Sequence, residues 1–190
     1  MEDEVHAVFK SEPNQVVYKQ ILTYFEAIEL NELFLNSNSY WQDGAIKIST
    51  GLRPYIDVNL EDKDVKLVYD RLIIVLKDYF PDIKVSTDAR FYNHQFGGTK
   101  PHKDGNRDGV SNYTLLLYLT DNFDDGKLSI KTKRSEEERL ECNSDKFHKI
   151  FTITPKIGYG VIFNKNLTHW AADVLEGNKN FLLIHLYSDF

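Results

Sequence analysis

Short runs of β-branched and aromatic residues, each ended by a turn signal, fill the second half of the chain. These runs occupy residues 84–92, 110–120, 127–133, 147–154, 160–163 and 181–187. Glycine, proline, asparagine and aspartate stand between them, as at Gly97-Gly98, Asp125-Gly126 and Gly177-Asn178. Many short strands with regular punctuation are typical of an antiparallel barrel or sandwich, so we predict a β core over residues 84–190.

The first half of the chain predicts helices instead. Apolar residues recur at spacings of three and four over residues 15–36 and again over residues 61–79, where acidic residues favour the N-terminus of the helix. Between these segments, residues 44–58 predict one short strand and a turn around Gly51 and Pro54. Helices followed by strands indicate an α+β fold, with residues 1–83 as a helical support for the β core.

Length and composition fit a single domain. The chain has 190 residues, of which 42% are hydrophobic and 27% charged, as in an ordinary globular domain with one core. It contains no internal repeat and no linker that would divide it, and the charged residues 135–141 predict a solvated loop. We therefore expect one domain over residues 1–190.

The charge balance and cysteine count disfavour several partners and compartments. Acidic residues outnumber basic ones by 29 to 23, and the net charge of -6 disfavours a broad contact with nucleic acid. No apolar run approaches the roughly 18 residues of a membrane span, and the first residues lack the apolar stretch of a secretory signal. Cys142 is the single cysteine, so it cannot form an internal disulfide. We expect an intracellular, cytoplasmic protein with no nucleic-acid or membrane partner.

The pair His102 and Asp104 is the first indication of chemistry. Alternate residues of an extended strand point to the same side, so an imidazole nitrogen and a carboxylate oxygen can converge here. These are two of the three ligands in the 2-His-1-carboxylate facial triad, which leaves positions on Fe(II) open. Because chance accounts for most His-x-Asp tripeptides, the pair needs further support.

Two later residues supply that support. His169 comes just after an apolar strand, residues 161–163, and can contribute the third ligand from a strand adjacent in space. Ten residues later Lys179 opens the last apolar strand, where a buried ammonium group needs a partner. The alternative for Lys179 is a solvated turn residue after Gly177-Asn178. The four residues together favour a metal site with an anion-binding group nearby.

The segments around these residues resemble the 2-oxoglutarate/Fe(II)-dependent dioxygenases, and within them the prolyl 4-hydroxylase-like branch. The resemblance covers residues 88–187, a little over half the chain. Residues 90–104 are similar to the Arg/Tyr-rich strand, glycine turn and His-x-Asp block of the family. Residues 113–120, 122–128 and 153–163 are similar, in the same order, to its Thr-to-Tyr strand, its Gly-Gly turn and its Pro-x-x-Gly run.

The resemblance implies a fold and a set of cofactors. The fold is a double-stranded β-helix, or jelly-roll, with the N-terminal helices packed on one side. The cofactors are Fe(II), held by His102, Asp104 and His169, together with 2-oxoglutarate and O2, and ascorbate is allowed as a reductant. The implied products of each turnover are succinate, CO2 and a hydroxylated substrate.

The resemblance also implies roles around the cosubstrate. Lys179 would pair with the far carboxylate of 2-oxoglutarate, aided by the hydroxyl of Tyr118. Tyr92 would reach the end of the cosubstrate nearest the iron. Thr114 shares strand parity with Tyr118 and is expected to line the same pocket, with a core threonine as the alternative. For either tyrosine, the alternative is a core aromatic whose hydroxyl reaches the surface.

Other positions depart from the family or are less well defined. One glycine of the family's turn is Asp125 here, and the threonine after it is Leu128, so we expect that loop to differ in shape. His185 is a candidate for the pocket floor, with a core histidine as the alternative, and Trp170 is a candidate for the pocket mouth or an ordinary packed side chain. His94, like His6 and His148, has no convergent partner in the sequence and is interpreted as structural or surface.

The substrate is predicted by resemblance alone. A lysine anchor is similar to that of prolyl 4-hydroxylases and favours a prolyl residue in a protein or peptide. The same chemistry on a lysyl residue, a free amino acid or a small molecule is the alternative, as is an inactive metal-binding jelly-roll. A zinc hydrolase with the same ligands lacks a glutamate base on a metalloprotease-type helix. The sequence predicts no oligomeric state.

Overall fold

The computed structural model describes residues 16–37, 42–48, 51–58, 63–79, 83–105, 112–134 and 148–188. These residues form two helices, α1 (Tyr24–Leu35) and α2 (Lys63–Tyr79), and twelve strands. The strands are β1 (Val16–Gln20), β2 (Gln42–Ile48), β3 (Gly51–Val58), β4 (Ile83–His94), β5 (Tyr113–Tyr118), β6 (Phe123–Asp125), β7 (Leu128–Lys133), β8 (His148–Ile153), β9 (Tyr159–Asn164), β10 (Thr168–Ala171), β11 (Val174–Gly177) and β12 (Lys179–Ser188).

The strands form one large and two small antiparallel sheets. Seven strands pair in the order β1-β9-β5-β12-β4-β3-β2, while β10-β7-β8 and β11-β6 form the small sheets. Leu128 and Ile130 of β7 pack in one apolar cluster with Leu116 and Phe163 of the large sheet, so a small sheet faces the large one. We call the side of the large sheet that carries Leu116 its inner face. Two facing antiparallel sheets make the predicted jelly-roll, which is confirmed.

The helices cover the opposite face of the large sheet, as predicted. A capping box starts α1, where Thr23 Oγ1 accepts a hydrogen bond from Glu26 N and the Glu26 carboxylate accepts one from Thr23 N at 2.8 Å. The Phe34 ring then packs 5.0 Å from that of Phe91, and α2 adds Leu72 to the same apolar cluster. Each such burial contributes roughly 1.5–3 kcal/mol. Among the described residues, neither helix is long and apolar enough to cross a bilayer.

The prediction of one helix over residues 15–36 is wrong at its start. Val16–Gln20 is a strand that pairs with β9, and the helix begins only after the capping residue Thr23. Val17 belongs to the helix-side core whereas Tyr18 packs in the inner-face core, which is the period-two alternation of a strand. A short stretch of apolar residues fits either period, and pairing with β9 decides between them.

The prediction for residues 44–58 is right about a chain reversal beside Gly51, where Ile48 pairs with Gly51, but wrong about the number of strands and about Pro54. Two strands, β2 and β3, replace the single strand, and Pro54 lies within β3 instead of at a turn. Pairing of β3 with β4 begins only at Tyr55, so the missing N–H of Pro54 interrupts no ladder bond to β4. The segment 1–83 therefore contributes three strands to the large sheet as well as helices. The predicted loop 135–141 lies outside the described residues.

All six strands predicted in the second half are present. The strands missed by the sequence are β6, β10 and β11, which have three, four and four residues. Segments of three or four residues are too short to show the alternation of apolar and polar residues that indicates a strand. Gly97 and Gly177, which belong to the predicted turn signals, have φ values of 76° and 85°, the left-handed region that favours glycine.

Candidate functional site

A ladder of backbone hydrogen bonds brings the three predicted metal ligands together. The segment that carries the His-x-Asp pair runs antiparallel to β10 and the residues that precede it. His102 N donates to His169 O and His169 N donates to His102 O, both at 2.9 Å. Asp104 N donates to Lys165 O at 3.2 Å, and Thr99 N donates to Ala171 O at 2.9 Å. The two histidines are therefore directly opposite each other.

The side chains of these residues converge on one point. His169 Nε2 lies 3.5 Å from Asp104 Oδ1, and His102 Nε2 lies 4.0 Å from the same oxygen. One ligand atom from each of the three residues lies within 4.8 Å of the others. Within the described part of the chain, this is the one group of three or more His, Cys, Asp or Glu side chains with such spacing.

The second nitrogen of each imidazole is fixed by a backbone carbonyl. His102 Nδ1 lies 2.8 Å from Lys100 O, and His169 Nδ1 lies 3.0 Å from Leu167 O. A carbonyl oxygen only accepts, so each Nδ1 carries a proton, and this leaves each Nε2 available as a metal ligand when its imidazole is neutral. This arrangement is typical of metal-ligating histidines, whose ring orientation depends on such partners.

Thr114 orients the carboxylate of the site. Its hydroxyl donates to Asp104 Oδ2 at 2.6 Å and leaves Oδ1 directed at the histidines. Burial alone would raise the pKa of Asp104, but the hydrogen bonds from His169 and Thr114, with the attraction of both histidines, hold that pKa below its usual range. The carboxylate is thus kept in the ionised form that a metal requires.

The donor set fits a divalent transition metal. Two neutral imidazole nitrogens and one carboxylate oxygen on a single side match the facial triad and leave the opposite side open to other ligands. Because zinc and nickel also accept such donors, the surrounding cavity must indicate the chemistry.

An open cavity adjoins the metal ligands on the inner face of the large sheet. Its walls combine polar and apolar side chains, and most of their surface is apolar. The apolar lining includes Leu116, Leu128, Ala171, Phe181 and Leu183. The cavity is therefore suited to a small ligand that bridges the metal and a second polar group.

Lys179 supplies that second group. Its side chain is 3% exposed, lines the cavity, and donates from Nζ to Gly126 O. Nζ also lies 5.5 Å from the centre of the Tyr118 ring, which favours the cation electrostatically. The alternative of a solvated turn lysine is therefore wrong, because Lys179 is buried. Tyr118 and Tyr92 line the same cavity, as expected of cosubstrate-binding residues.

The turn that accepts the Lys179 hydrogen bond keeps a glycine-like conformation despite its different sequence. Asp125 and Gly126 both have φ near 60°, the left-handed region in which aspartate is tolerated better than most residues. A side chain at Gly126 would meet Val174 Cγ2 at 3.0 Å and Lys179 Cδ at 3.3 Å. The turn thus depends on glycine at its second position.

The remaining predicted residues occupy different places. Thr114 contacts Asp104, and its predicted place in the cosubstrate pocket stays a prediction. His185 is buried opposite Thr114 in the sheet. Trp170 follows His169 on β10 and pairs with Ser129 of β7. Successive strand residues point to opposite faces, so Trp170 faces away from the metal ligands. The substrate roles of His185 and Trp170 stay predictions.

His94 was not predicted as a site residue. It is 1% exposed, lines the cavity and stands opposite Lys179 in the pairing of β4 with β12. Its Nε2 lies 2.9 Å from Phe96 O and 2.7 Å from Gly97 O, so it donates to the turn that leads into the metal-ligand segment. Its strand parity with Tyr92 is the signal that could have revealed it.

Sequence comparison finds no relative: no protein-family model and no curated protein matches the chain. Comparison of folds finds similar solved structures. A 2OG-Fe(II) oxygenase family oxidoreductase from Burkholderia pseudomallei covers 90% of this chain and 85% of its own, at TM-score 0.65 and 10% identity. A prolyl hydroxylase from Trichoplax adhaerens, in complex with a hypoxia inducible factor peptide fragment, covers 93% of this chain and 84% of its own. Its TM-score is 0.62 and its sequence identity 12%.

HygX from Streptomyces hygroscopicus, with nickel and 2-oxoglutarate bound, covers 94% of this chain and 84% of its own, at TM-score 0.63 and 12% identity. At identities this low the similarity shows the fold alone. The chain has the fold of the 2-oxoglutarate/Fe(II) oxygenases, as its sequence blocks predict.

Proposed function

We propose that this protein is a 2-oxoglutarate- and Fe(II)-dependent dioxygenase that hydroxylates a prolyl residue in a protein or peptide and releases succinate and CO2. The observation that carries the proposal is the pairing of two features in one cavity. A facial set of two imidazole nitrogens and a carboxylate lies on its wall, and the buried cation of Lys179 lines the same cavity.

The three ligands would hold Fe(II) through His102 Nε2, His169 Nε2 and Asp104 Oδ1. Bound Fe(II), 2-oxoglutarate and O2 together supply oxidative decarboxylation of the cosubstrate coupled to hydroxylation of the substrate. The backbone ladder between the two histidines fixes their separation, and the Nδ1 bonds to Lys100 O and Leu167 O fix their rotation. The chain thus holds its three donor atoms together on the cavity side.

Lys179 would bind the far carboxylate of 2-oxoglutarate. Inside a buried site an ammonium–carboxylate hydrogen bond is stronger than at the surface, because less water competes for either group. The hydroxyl of Tyr118 would contact the same carboxylate, and Tyr92, which lines the same cavity, would contact the end of the cosubstrate nearest the iron. The distance between Lys179 and the metal would select a cosubstrate of matching length.

The apolar walls serve a second purpose. Leu116, Leu128 and Phe181 line the cavity and offer no side-chain hydrogen-bonding atoms to water inside it. Such walls would limit the access of water to a bound metal. The reaction is thereby directed to a substrate that enters from the open side.

A prolyl substrate is supported by two observations. The anchor is a lysine, as in the prolyl 4-hydroxylases that the sequence resembles. The Trichoplax adhaerens structure of the same fold is a prolyl hydroxylase bound to a peptide. An open cavity on the sheet surface also suits a residue presented by a flexible chain.

The test is a reconstituted reaction. Protein purified without oxygen is supplied with Fe(II) and 2-oxoglutarate, then exposed to O2 with a library of proline-containing peptides. We expect succinate to form and a peptide to gain the mass of one oxygen atom. No succinate above a metal-free control would contradict the oxygenase, whereas succinate without any modified prolyl peptide would contradict only the substrate.

A further inference from the structure

The three-stranded sheet β10-β7-β8 has one side towards the cavity and one side away from it. Leu128, His169 and Ala171 line the cavity, so the residues between them point to the opposite side, which we call the outer face. The outer face carries Thr168 and Trp170 from β10, Ser129, Lys131 and Lys133 from β7, and His148, Ile150 and Thr152 from β8. It is therefore a surface formed by the strand that carries a metal ligand and by the two strands beside it.

The outer face is basic although the chain as a whole is acidic. The strands β7, β8 and β10 contain three lysines and neither aspartate nor glutamate, whereas the net charge of the chain is -6. Lys131 and Lys133 of the outer face are both exposed. Among the residues that the structure describes, neither of these two lysines has a hydrogen bond or an ion pair. The face thus presents two ammonium groups that lack a carboxylate partner within the described chain.

Two large apolar side chains lie beside these lysines. Ile150 stands directly opposite Lys131 in the pairing of β7 with β8 and is 58% exposed. Trp170 is partly exposed, and within the described ranges its ring has no aromatic or cationic neighbour and its indole N–H has no acceptor. Tryptophan combines an apolar ring with one N–H donor, and it is enriched at protein interfaces for that reason. The outer face therefore offers apolar contacts as well as charge.

We propose that the outer face binds an acidic, extended segment of the protein substrate. Alternate residues of a strand are about 7 Å apart, so Lys131 and Lys133 match two carboxylates at alternate positions of an extended peptide. Ile150 and Trp170 would contact apolar side chains of the same segment. The inference rests on the proposed function, since it names the substrate as the protein that contains the segment.

Charge and position favour this occupant. A nucleic acid would bring a dense row of negative charges to a chain of net charge -6, whereas a short peptide segment brings only a few. Trp170 follows His169 on β10 and points to the other side of the sheet. The docked segment and the oxidised residue would therefore lie on opposite sides of one strand. The segment would select the protein substrate without contact with the reacting atoms.

Two labelled peptides and an oligonucleotide test the proposal. The peptides carry the same fluorophore and the same single-proline segment, joined by a flexible Gly/Ser linker to a second segment with Glu or Gln at alternate positions. The oligonucleotide is single-stranded, carries the same fluorophore and has the net charge of the Glu peptide. Fluorescence anisotropy then gives the Kd of each probe for the full chain, loaded with Fe(II) and 2-oxoglutarate under argon.

We expect the Glu peptide to bind about fivefold more tightly than the Gln peptide at low salt, because each exposed ion pair contributes modestly. Added salt should reduce this preference. The Lys131→Glu/Lys133→Glu variant should reverse it, so that the Gln peptide binds more tightly. The matched control is Lys63→Glu/Lys77→Glu, which makes the same change of net charge at exposed positions of α2 and should still prefer the Glu peptide.

Equal affinities of the wild type for both peptides, including no binding of either, would overturn the proposal. An unchanged preference in Lys131→Glu/Lys133→Glu would do the same, as would tighter binding of the oligonucleotide than of the Glu peptide. If the double variant fails to fold, the single changes Lys131→Gln and Lys133→Gln decide, and a wild-type preference in both is contrary. Binding of the Glu peptide only after Glu136, Glu137 and Glu138 are changed to Gln would make the chain's own acidic residues the occupant, which also overturns the proposal.

Admission of O2 to the same samples separates this inference from the function. Preference for the Glu peptide without any succinate contradicts the oxygenase and leaves the outer face as a site for acidic segments. Succinate without that preference keeps the oxygenase and overturns the docking site. Where the peptides are turned over, the Glu peptide should have the lower KM, and equal KM values would overturn the assignment of the segment to the substrate.

Discussion

The metal end and the anchor end of the cavity are built in different ways. At the metal end, His102 and His169 are held by reciprocal backbone hydrogen bonds, and each ring is fixed by a carbonyl of its own segment. At the anchor end, the long side chain of Lys179 reaches its place through burial, the Tyr118 ring and one carbonyl, Gly126 O. Backbone pairing fixes the first, and packing fixes the second.

This difference predicts separable effects. A ligand change at the metal end should remove metal without disturbing the ladder that positions it, because the ladder uses main-chain atoms. A change at the anchor end should weaken 2-oxoglutarate and leave the metal in place. Variants that affect both equally would show that the two ends form one unit.

The largest effect is expected from Asp104→Ala. Loss of the single carboxylate removes the anionic ligand between two neutral imidazoles, and we expect Fe(II) affinity to fall by more than about 100-fold. Calorimetric titration of the protein with Fe(II) under argon measures this. Asp121→Ala, at an exposed position, should bind as the wild type does. Wild-type affinity in Asp104→Ala would contradict the assigned ligand set.

Lys179→Met tests the anchor end. Methionine keeps an apolar stem against Tyr118 but loses the charge, so 2-oxoglutarate affinity should fall about 10- to 100-fold with little change in Fe(II) affinity. Binding of 2-oxoglutarate to the metal-loaded protein measures the first, and the Fe(II) titration measures the second. The exposed neighbour Lys127→Met is the control. Equal 2-oxoglutarate affinity in both variants would mean that the anchor is another residue.

Thr114→Val is expected to have a smaller effect at the metal end. The substitution keeps the shape but removes the hydroxyl that donates to Asp104 Oδ2 at 2.6 Å. Partners of metal ligands typically contribute 10- to 100-fold, so we expect metal affinity to fall about tenfold. Thr114→Ser retains the donor and should bind Fe(II) nearly as the wild type does. Equal affinities for the Val and Ser variants would show that the hydroxyl does not act through Asp104.

The two ends also differ in how far the sequence could predict them. His102 and Asp104 are visible as alternate residues of one strand, and the opposite position of His169 follows once its own strand is recognised. The contact between Thr114 and Asp104 joins two segments ten residues apart, and strand parity with Tyr118 suggested a different role.

Contacts across strands explain the other errors and omissions as well. Strand parity with Tyr92 places His94 on the cavity side, but its position opposite Lys179 depends on the pairing of β4 with β12, which a local pattern does not give. Val16–Gln20 has apolar spacing that suits a helix, and its pairing with β9 makes it a strand. Local periodicity therefore predicted the six longer strands of the second half, while strand register, which depends on distant residues, determined the site.

The smallest effect is expected from Glu26→Gln, in the helical layer away from both ends of the cavity. Burial would raise the pKa of Glu26, but hydrogen bonds from Thr23 and the charge of Arg71 outweigh it and lower the pKa in the folded state. A lowered folded pKa stabilises the fold above the ordinary value of 4.5, and this contribution is lost as pH falls through the folded value.

Because the Glu26 side chain is still partly exposed, we expect the variant to lose only about 0.5 kcal/mol at neutral pH, after allowing for solvent screening. Thermal unfolding from neutral pH to below the ordinary glutamate pKa should show the difference from wild type shrinking as the pH falls. Affinities for Fe(II) and 2-oxoglutarate should stay unchanged, since the capping box does not contact the cavity. A change in either affinity would show that the helical layer sets the geometry of one end, and which ligand responds would identify that end.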